Sequence, residues 1–320
     1  MDRQGSVGQL YAAVAAFAKE YLPTAEQWCV ALSGGADSLA LTAVAAAMLP
    51  TTALIVDHGL QSGSAEVAVT ARTQALGLGC VAAQVLSVEV SGDGGPEAAA
   101  RTARYVALQA ARADRPVLLG HTLDDQAETV LLGLGRGSGA RSIAGMRPYD
   151  PPWCRPLLGV RRAVTHAACD ELGLVAWQDP HNADRRFTRN RLRHEVLPLL
   201  EDVLGGGVAE ALARTATALR EDTGLIDTLI AQALTTSATD DGLDARALRA
   251  LPDPVRRGVI RSWLLAGGAT GLTDKQIRGV NTLITGWRGQ GGVAVGSKLR
   301  GQRLVAGRQG GVLTLQAEPI

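Results

Sequence analysis

At 320 residues, with 46% hydrophobic and 20% charged side chains, the chain has ordinary globular composition and enough length for two domains, which excludes a disordered protein. No apolar run approaches the roughly 20 residues of a membrane-spanning helix, and residues 10–17 lack the basic lead and cleavage-type ending of a signal peptide, so a cytoplasmic protein with no membrane partner is expected. The net charge of +1 is unevenly spread: 18 Lys+Arg stand against 22 Asp+Glu in residues 1–210, and 14 against 9 in residues 211–320.

Residues 7–20 predict a leading helix. The apolar run 28–32 predicts a buried strand, the turn Ser33-Gly34-Gly35-Ala36-Asp37-Ser38 follows it, and the Ala- and Leu-rich run to residue 49 predicts a helix. Residues 51–57 read as a second strand, 64–76 as a second helix and 80–88 as a third strand. Residues 91–95 form a glycine-rich loop, Pro96 opens a helix to residue 113, and residues 116–120 make a fourth strand. This alternation predicts an α/β fold with a doubly wound, mostly parallel sheet and helices on both faces. Residues 136–156 read as loop, and helices are expected near 161–172 and 191–200. Gly205-Gly206-Gly207 is a candidate hinge between a domain of residues 1–206 and a smaller, mainly helical domain of residues 207–320. The latter reads as helical over 208–235 and 245–286 with no strand signal, and ends in a closing hairpin within 293–315.

The Ser33–Ser38 turn is the most informative stretch. Glycines allow close backbone approach, and the first amides of the following helix lack intrahelical partners, so a strand, this turn and a helix in succession make an anion-binding loop. Ser33 and Ser38 add hydroxyls, and Asp37 beside a phosphate suits a metal ion between them. No Gly-Lys-Ser or Gly-Lys-Thr occurs, which argues against a Walker A loop and γ-phosphate transfer. In a doubly wound sheet ligands sit beyond the carboxyl ends of the strands, where Ser33, Asp57, His58 and His121 all fall. His121-Thr122-Leu123-Asp124-Asp125-Gln126-Ala127-Glu128 enters a helix with carboxylates three and four residues apart, which is either helix-start capping or a group for metal binding and proton transfer. Glu97, Arg101, Arg104 and Tyr105 share a helix face; Arg101 is either half of a solvated pair with Glu97 or a clamp on phosphate.

Arg136-Gly137-Ser138-Gly139 is a candidate anion-binding turn or lid. Residues 185–194 hold five Arg and no acid, a composition suited to RNA contact through Arg189, Arg191 and Arg193, and residues 275–308 hold seven basic residues and no acid, which suits a polyanion. Cys29, Cys80, Cys154 and Cys169 are widely spaced without a Cys-X-X-Cys pair, so buried reduced thiols are expected in place of zinc, an iron–sulfur cluster or a redox dithiol.

Taken together, Ser33–Ser38, Val56-Asp57-His58-Gly59-Leu60, residues 97–105, 121–129 and 136–139, Arg155-Pro156-Leu157-Leu158, Asp179-Pro180-His181-Asn182 and residues 189–194 followed by Pro198 resemble the tRNA(Ile)-lysidine synthases, PP-loop ATP pyrophosphatases, in order over about the first 200 residues. Residues 208–290 and the closing hairpin resemble that family's substrate-binding domain. The resemblance implies ATP and Mg²⁺ as cofactors, and L-lysine and a tRNA(Ile) with a CAU anticodon as partners; it leaves a homodimer open. It implies that Ser33, Gly34, Gly35, Ala36, Asp37 and Ser38 bind pyrophosphate, with Asp37 and Asp125 on Mg²⁺, and that Asp57 and His58 border the adenosine. Asp125 and Glu128 would bind metal or the lysine amine, and Arg101 and His121 would engage phosphate or cytidine. Position 122 is Thr where many relatives have a second His. Another PP-loop enzyme, such as an NAD or GMP synthetase or a tRNA thiolase, and a non-catalytic nucleotide-binding regulator are the alternatives. A thiolase needs reactive cysteines, a synthetase leaves the arginine-rich stretch unexplained, and a regulator has no use for converging carboxylates.

Overall fold

The computed structural model describes residues 5–59, 63–90, 95–137, 139–299 and 301–319. Residues 91–94, Leu60, Ser138 and the Glu97 side chain, which figure in the expectations above, lie outside the described residues. The chain forms two compact units, Met1–Arg220 and Glu221–Ile320.

The first unit runs α1 (Ser6–Tyr21), β1 (Trp28–Ala31), α2 (Ala36–Met48), β2 (Thr51–Asp57), α3 (Ser64–Gly77), β3 (Ala82–Ser87), α4 (Pro96–Ala111), β4 (Val117–Leu119), α5 (Leu123–Gly135), α6 (Ala140–Ile143), β5 (Tyr149–Asp150), β6 (Trp153–Cys154), α7 (Arg162–Glu171), α8 (Thr188–Arg191) and α9 (Leu197–Val203), and takes in the first part of α10 (Val208–Ser237). The sheet order is β3-β2-β1-β4-β6-β5, parallel throughout except for the β5–β6 edge. The doubly wound expectation holds. Residues 136–156, read as loop, instead contain α6, β5 and β6; strands of two residues are too short to show periodicity, and β6 is recognisable only through its pairing with β4.

Side chains alternate across the sheet with the period of two that a strand imposes. Trp28, Val30, Leu32, Ala53 and Ile55 join one core cluster with residues of α1, α2 and α7, while Cys29, Leu54, Val117 and Leu119 join the other with Leu108 of α4. Trp28 is fully buried and donates its indole N–H to Thr51 Oγ1 at 2.7 Å, which satisfies the one polar atom that burial would leave orphaned. All four cysteines are buried and free, as expected. Burial pushes Cys80 and Cys169 up to about 11 and Cys154 up to about 12, and raises Cys29 as well.

Strand order places β1 and β4 side by side although three helical crossovers separate them in sequence, with Ala31 opposite Leu119. Helices following β1 and β4 depart on opposite sides of such a junction, and the crevice between their carboxyl ends is where this fold accommodates ligands. The Ser33–Ser38 loop lies at the end of β1, and Gly120 and His121 lie at the end of β4.

The second unit comprises the remainder of α10, β7 (Ala238–Thr239), β8 (Gly242–Asp244), α11 (Ala245–Arg249), α12 (Asp253–Ala266), β9 (Ala269–Thr270), α13 (Asp274–Thr285), β10 (Val293–Ser297), β11 (Gln302–Gln309) and β12 (Val312–Pro319). Its helices fall within the spans expected, but strands interrupt them where none was read, β7 and β8 between the two spans and β9 inside the second, and the closing hairpin is part of a six-stranded antiparallel sheet, β7-β8-β12-β11-β10-β9. Val259, Ile260 and Leu264 of α12 and Val280, Leu283 and Ile284 of α13 pack with Val295, Leu304, Ala306 and Leu313 of that sheet.

Candidate active site

The loop after β1 turns at Gly34, whose φ of 86° favours glycine, and enters α2 through Gly35. No side chain caps α2, so its first amides are left for an anion. The two hydroxyls of the loop are spent on its own shape: the Ser33 amide donates to Ser38 Oγ at 3.2 Å, the Ser33 and Ser38 hydroxyls lie 3.1 Å apart, and Ser38 Oγ donates to the Gly35 carbonyl at 2.9 Å. From outside, the Trp177 amide donates to the Gly34 carbonyl at 2.9 Å.

Across the crevice, Thr122 caps α5. Its amide and hydroxyl both donate to Asp125 Oδ2, at 2.8 and 2.9 Å, which closes a capping box and fixes the carboxylate. Glu128, one turn on, is fully buried. Asp37, Asp125 and Glu128 converge, and what they converge on is Arg162, a residue absent from the sequence-based candidates. Its Nη2 donates to Asp125 Oδ1 at 2.6 Å and to Glu128 Oε1 at 3.3 Å, and its Nε to Asp37 Oδ2 at 3.4 Å. Arg193 completes the arrangement, donating from Nε to Glu128 Oε1 at 2.7 Å and from Nη2 to Asp125 Oδ1 at 3.2 Å, while Arg189 Nε lies 3.6 Å from Glu128 Oε2. Asp124 stands apart: it accepts the Arg162 backbone amide at 2.7 Å and pairs with Arg161 at 3.2 Å, tying the start of α7 to α5.

A sequence signal for Arg162 existed. Arg161 and Arg162 are the cap and first residue of α7, where the helix dipole disfavours cations, so two arginines there require carboxylate partners elsewhere in the fold. Arg189 and Arg193 face the carboxylates because the chain from α8 to α9 widens into a π turn, closed by a Leu197 amide to Leu192 carbonyl bond, just before Pro198. Arg191 faces solvent and pairs with Glu195 at 3.1 Å. Arg136 caps the far end of α5, about 16 Å from Asp125 at 1.5 Å rise per residue, so the structure does not bring it to the cluster.

Electrostatics separates Asp37 from Asp125 and acts on both histidines. Burial pushes Asp37 upward, with the Thr165 hydroxyl that donates to it and Arg162 only partly opposing. Burial also works on Asp125, but Arg162, the Thr122 amide, His121 and Arg193 outweigh it and hold that carboxyl below its ordinary value. His121 is half-buried and lowered to about 3, by desolvation first and then by Arg155, Arg104 and Arg101 against the pull of Asp125, so its ring is neutral. Its Nδ1 has no hydrogen-bond partner in the fold, and neither has the Nδ1 of His58, which is lowered by burial and by Arg104. Asp57 accepts the Gly59 amide at 3.0 Å. Arg101 is exposed over the Tyr105 ring, 5.1 Å from its centroid, while Arg104 is the more buried cation that acts on both histidines.

The expectation of Mg²⁺ on Asp37 and Asp125 meets a concrete obstacle. Their free oxygens point at one guanidinium, and among the described residues no group of three His, Cys, Asp or Glu is disposed to hold a metal ion. In this arrangement the carboxylates do not fit a resident divalent ion.

Residues 8–200 match the family described as a PP-loop domain, and residues 243–309 the TilS substrate binding domain. The chain is 75% identical over 324 residues to tRNA(Ile)-lysidine synthase of Mycobacterium bovis, with all of each chain covered. It belongs to the tRNA(Ile)-lysidine synthase family. The lysidine synthase of Nocardia farcinica is 60% identical over 308 residues, 96% of this chain and 97% of that one. Among solved structures, the U34-tRNA thiolase NcsA from Methanococcus maripaludis superposes with a TM-score of 0.56 at 16% identity, covering 68% of this chain and 80% of that chain, a likeness of fold alone. Membership in the lysidine synthase family makes the chain an enzyme.

Proposed function

We propose that the protein joins L-lysine to C2 of the wobble cytidine in a tRNA(Ile) with a CAU anticodon, consuming ATP to AMP and pyrophosphate. The observation that carries this reading is the anion-binding loop at the β1–β4 junction, whose Asp37 meets Asp125 and Glu128 through Arg162, in a chain related over its whole length to lysidine synthases.

In the first step the cytidine O2 attacks the α-phosphate of ATP and pyrophosphate leaves. The uncapped amides of α2, with the backbone of Ser33, Gly34, Gly35 and Ala36, stabilise the pyrophosphate charge, and Asp57 and His58 border the adenosine. His121, held neutral, offers a ring nitrogen to the base and not a second positive charge to the phosphates. In the second step the lysine amine attacks C2 and AMP departs with O2. Asp125 and Glu128, which pair with guanidiniums in the fold, are suited to hold the lysine ammonium in exchange for one of them. Arg189 and Arg193 act next to the reacting cytidine, and Arg136 and Arg191, which lie further out, meet the RNA backbone. The basic surface of the second unit meets the rest of the tRNA.

Incubation with ATP, L-lysine and tRNA tests the reading. Lysine-dependent AMP release that requires tRNA, with a lysine adduct of cytidine in the digested nucleosides by mass spectrometry, is the expected result; stoichiometric ADP, or unmodified cytidine, overturns it.

A further inference from the structure

Three carboxylates, Asp37, Asp125 and Glu128, stand against three guanidiniums, Arg162, Arg189 and Arg193, within ion-pair distance. The cluster is thus electrically closed without any ion. Of the three cations only Arg162 touches all three acids, and it alone bridges the loop after β1 to helix α5. Its main chain is pinned at the start of α7, because the Arg162 amide donates to Asp124 Oδ2 at 2.7 Å. The freedom left to it is in the side chain.

We propose that Arg162 is a built-in counter-cation: in the nucleotide-free protein it fills the place between Asp37 and Asp125, and a divalent cation binds there only when the guanidinium swings out. The inference rests on the reading above only for the step at which the exchange occurs, namely arrival of ATP with its metal. Two like-signed groups cannot share so small a volume of low dielectric, so side chain and ion exclude one another. Removing the guanidinium leaves a partly buried carboxylate pair short of one charge, a deficit that an external cation relieves. Asp37, the acid that burial already pushes upward, then has only Thr165 as a partner, whereas Asp125 keeps Thr122 and Arg193. The exposed affinity therefore centres on Asp37.

Titration of the full-length protein with Mn²⁺ alone, followed by electron paramagnetic resonance of the free ion, tests this with no ATP, lysine or tRNA present. Failure of the ligase reading thus leaves the measurement intact. Arg162→Gln should bind Mn²⁺ at least tenfold more tightly than the wild type, and Asp37→Asn added to it should abolish the gain. Arg162→Lys, which keeps the charge and the helix, should stay within threefold of the wild type. Thermal unfolding supplies a second reading, since Mn²⁺ should raise the melting temperature of Arg162→Gln and leave that of the wild type unmoved. Equal Mn²⁺ affinity in wild type and Arg162→Gln, or a gain that survives Asp37→Asn, overturns the proposal. Should Arg162→Gln fail to fold, wild-type protein that binds Mn²⁺ tightly overturns it just as well, and weak binding by both wild type and Arg162→Lys upholds the closed cluster.

Discussion

Replacing Gly120 with Ala adds one methyl where β4 ends against the loop of the neighbouring strand. That Cβ would lie 3.0 Å from the Asp37 carbonyl carbon, from Ser38 Cα and from Ser38 N. All three are backbone atoms of the first turn of α2, and ordinary contact begins at 3.4 Å, so the helix start must retreat by a few tenths of an ångström. Overpacking of this kind costs about 1–3 kcal/mol. A body the size of the first unit shifts by about 2–4 °C per kcal/mol, which puts the expected fall in melting temperature at about 2–12 °C. Because the atoms displaced carry the uncapped amides, ATP affinity should fall at least about tenfold, equivalent to about 1.4 kcal/mol. Gly77, the last residue of α3, is the matched comparison: a Cβ there meets nothing, and Gly77→Ala should stabilise by about 0.4–1 kcal/mol with ATP affinity unchanged. Calorimetric ATP titration and thermal unfolding of the three proteins decide it. Gly120→Ala with wild-type melting and wild-type ATP affinity would refute the packing argument and the placement of the phosphates with it.

Three other outcomes are expected. Asp37→Asn and Asp125→Asn should each slow adenylation by at least about 100-fold, yet differ in stability: Asp125→Asn strips Arg162 and Arg193 of a carboxylate held below its ordinary value and should melt lower, whereas burial disfavours the charge of Asp37, so Asp37→Asn should melt no lower than the wild type. Equal melting shifts would contradict this. His121 is lowered to about 3 in the fold against about 6.5 unfolded, so between those values the unfolded chain binds the extra proton; His121 thus contributes stability that is complete above pH 6.5 and is lost as pH falls, with a slope of about 1.4 kcal/mol per pH unit. His121→Asn should flatten denaturant-midpoint curves across pH 6.5 to 4. Neutralising the exposed Lys275, Arg288 and Lys298 together should reduce the slope of log tRNA affinity against log salt by about 0.7–0.9 for each phosphate that is no longer neutralised, read by filter binding; an unaltered slope would assign RNA binding to the first unit.

Much of the first unit was legible because its signals are local. A buried strand, a glycine turn and a helix former in succession identify the loop after β1, and alternation of such units leaves little choice but a doubly wound sheet. The second unit hid its sheet, since β7, β8 and β9 are two or three residues long and become strands only by pairing, β8 with β12, β9 with β10 and β7 with β8. The site divided along the same line. Asp125 and Glu128 announce themselves by spacing on one helix, but Arg162 meets Asp37 across 125 positions, and no window of sequence contains both. Residues 185–194 read from composition as a basic face for RNA, but composition does not show direction: the π turn ahead of Pro198 aims Arg189 and Arg193 at carboxylates.

The burial of every cysteine bears on how this protein can be interrogated. A thiol held near 11 carries about 300-fold less thiolate at neutral pH than a free one near 8.5, and behind the sheet and helices it is out of reach of a maleimide as well. The chain comes with silent chemistry. A single cysteine placed on the basic surface of the second unit, at Arg288 or Lys298, would take up a dye alone, without prior removal of Cys29, Cys80, Cys154 or Cys169 and the packing that each supplies. Distances from such a dye to a fluorophore on bound RNA could then map the docking path on an otherwise native chain.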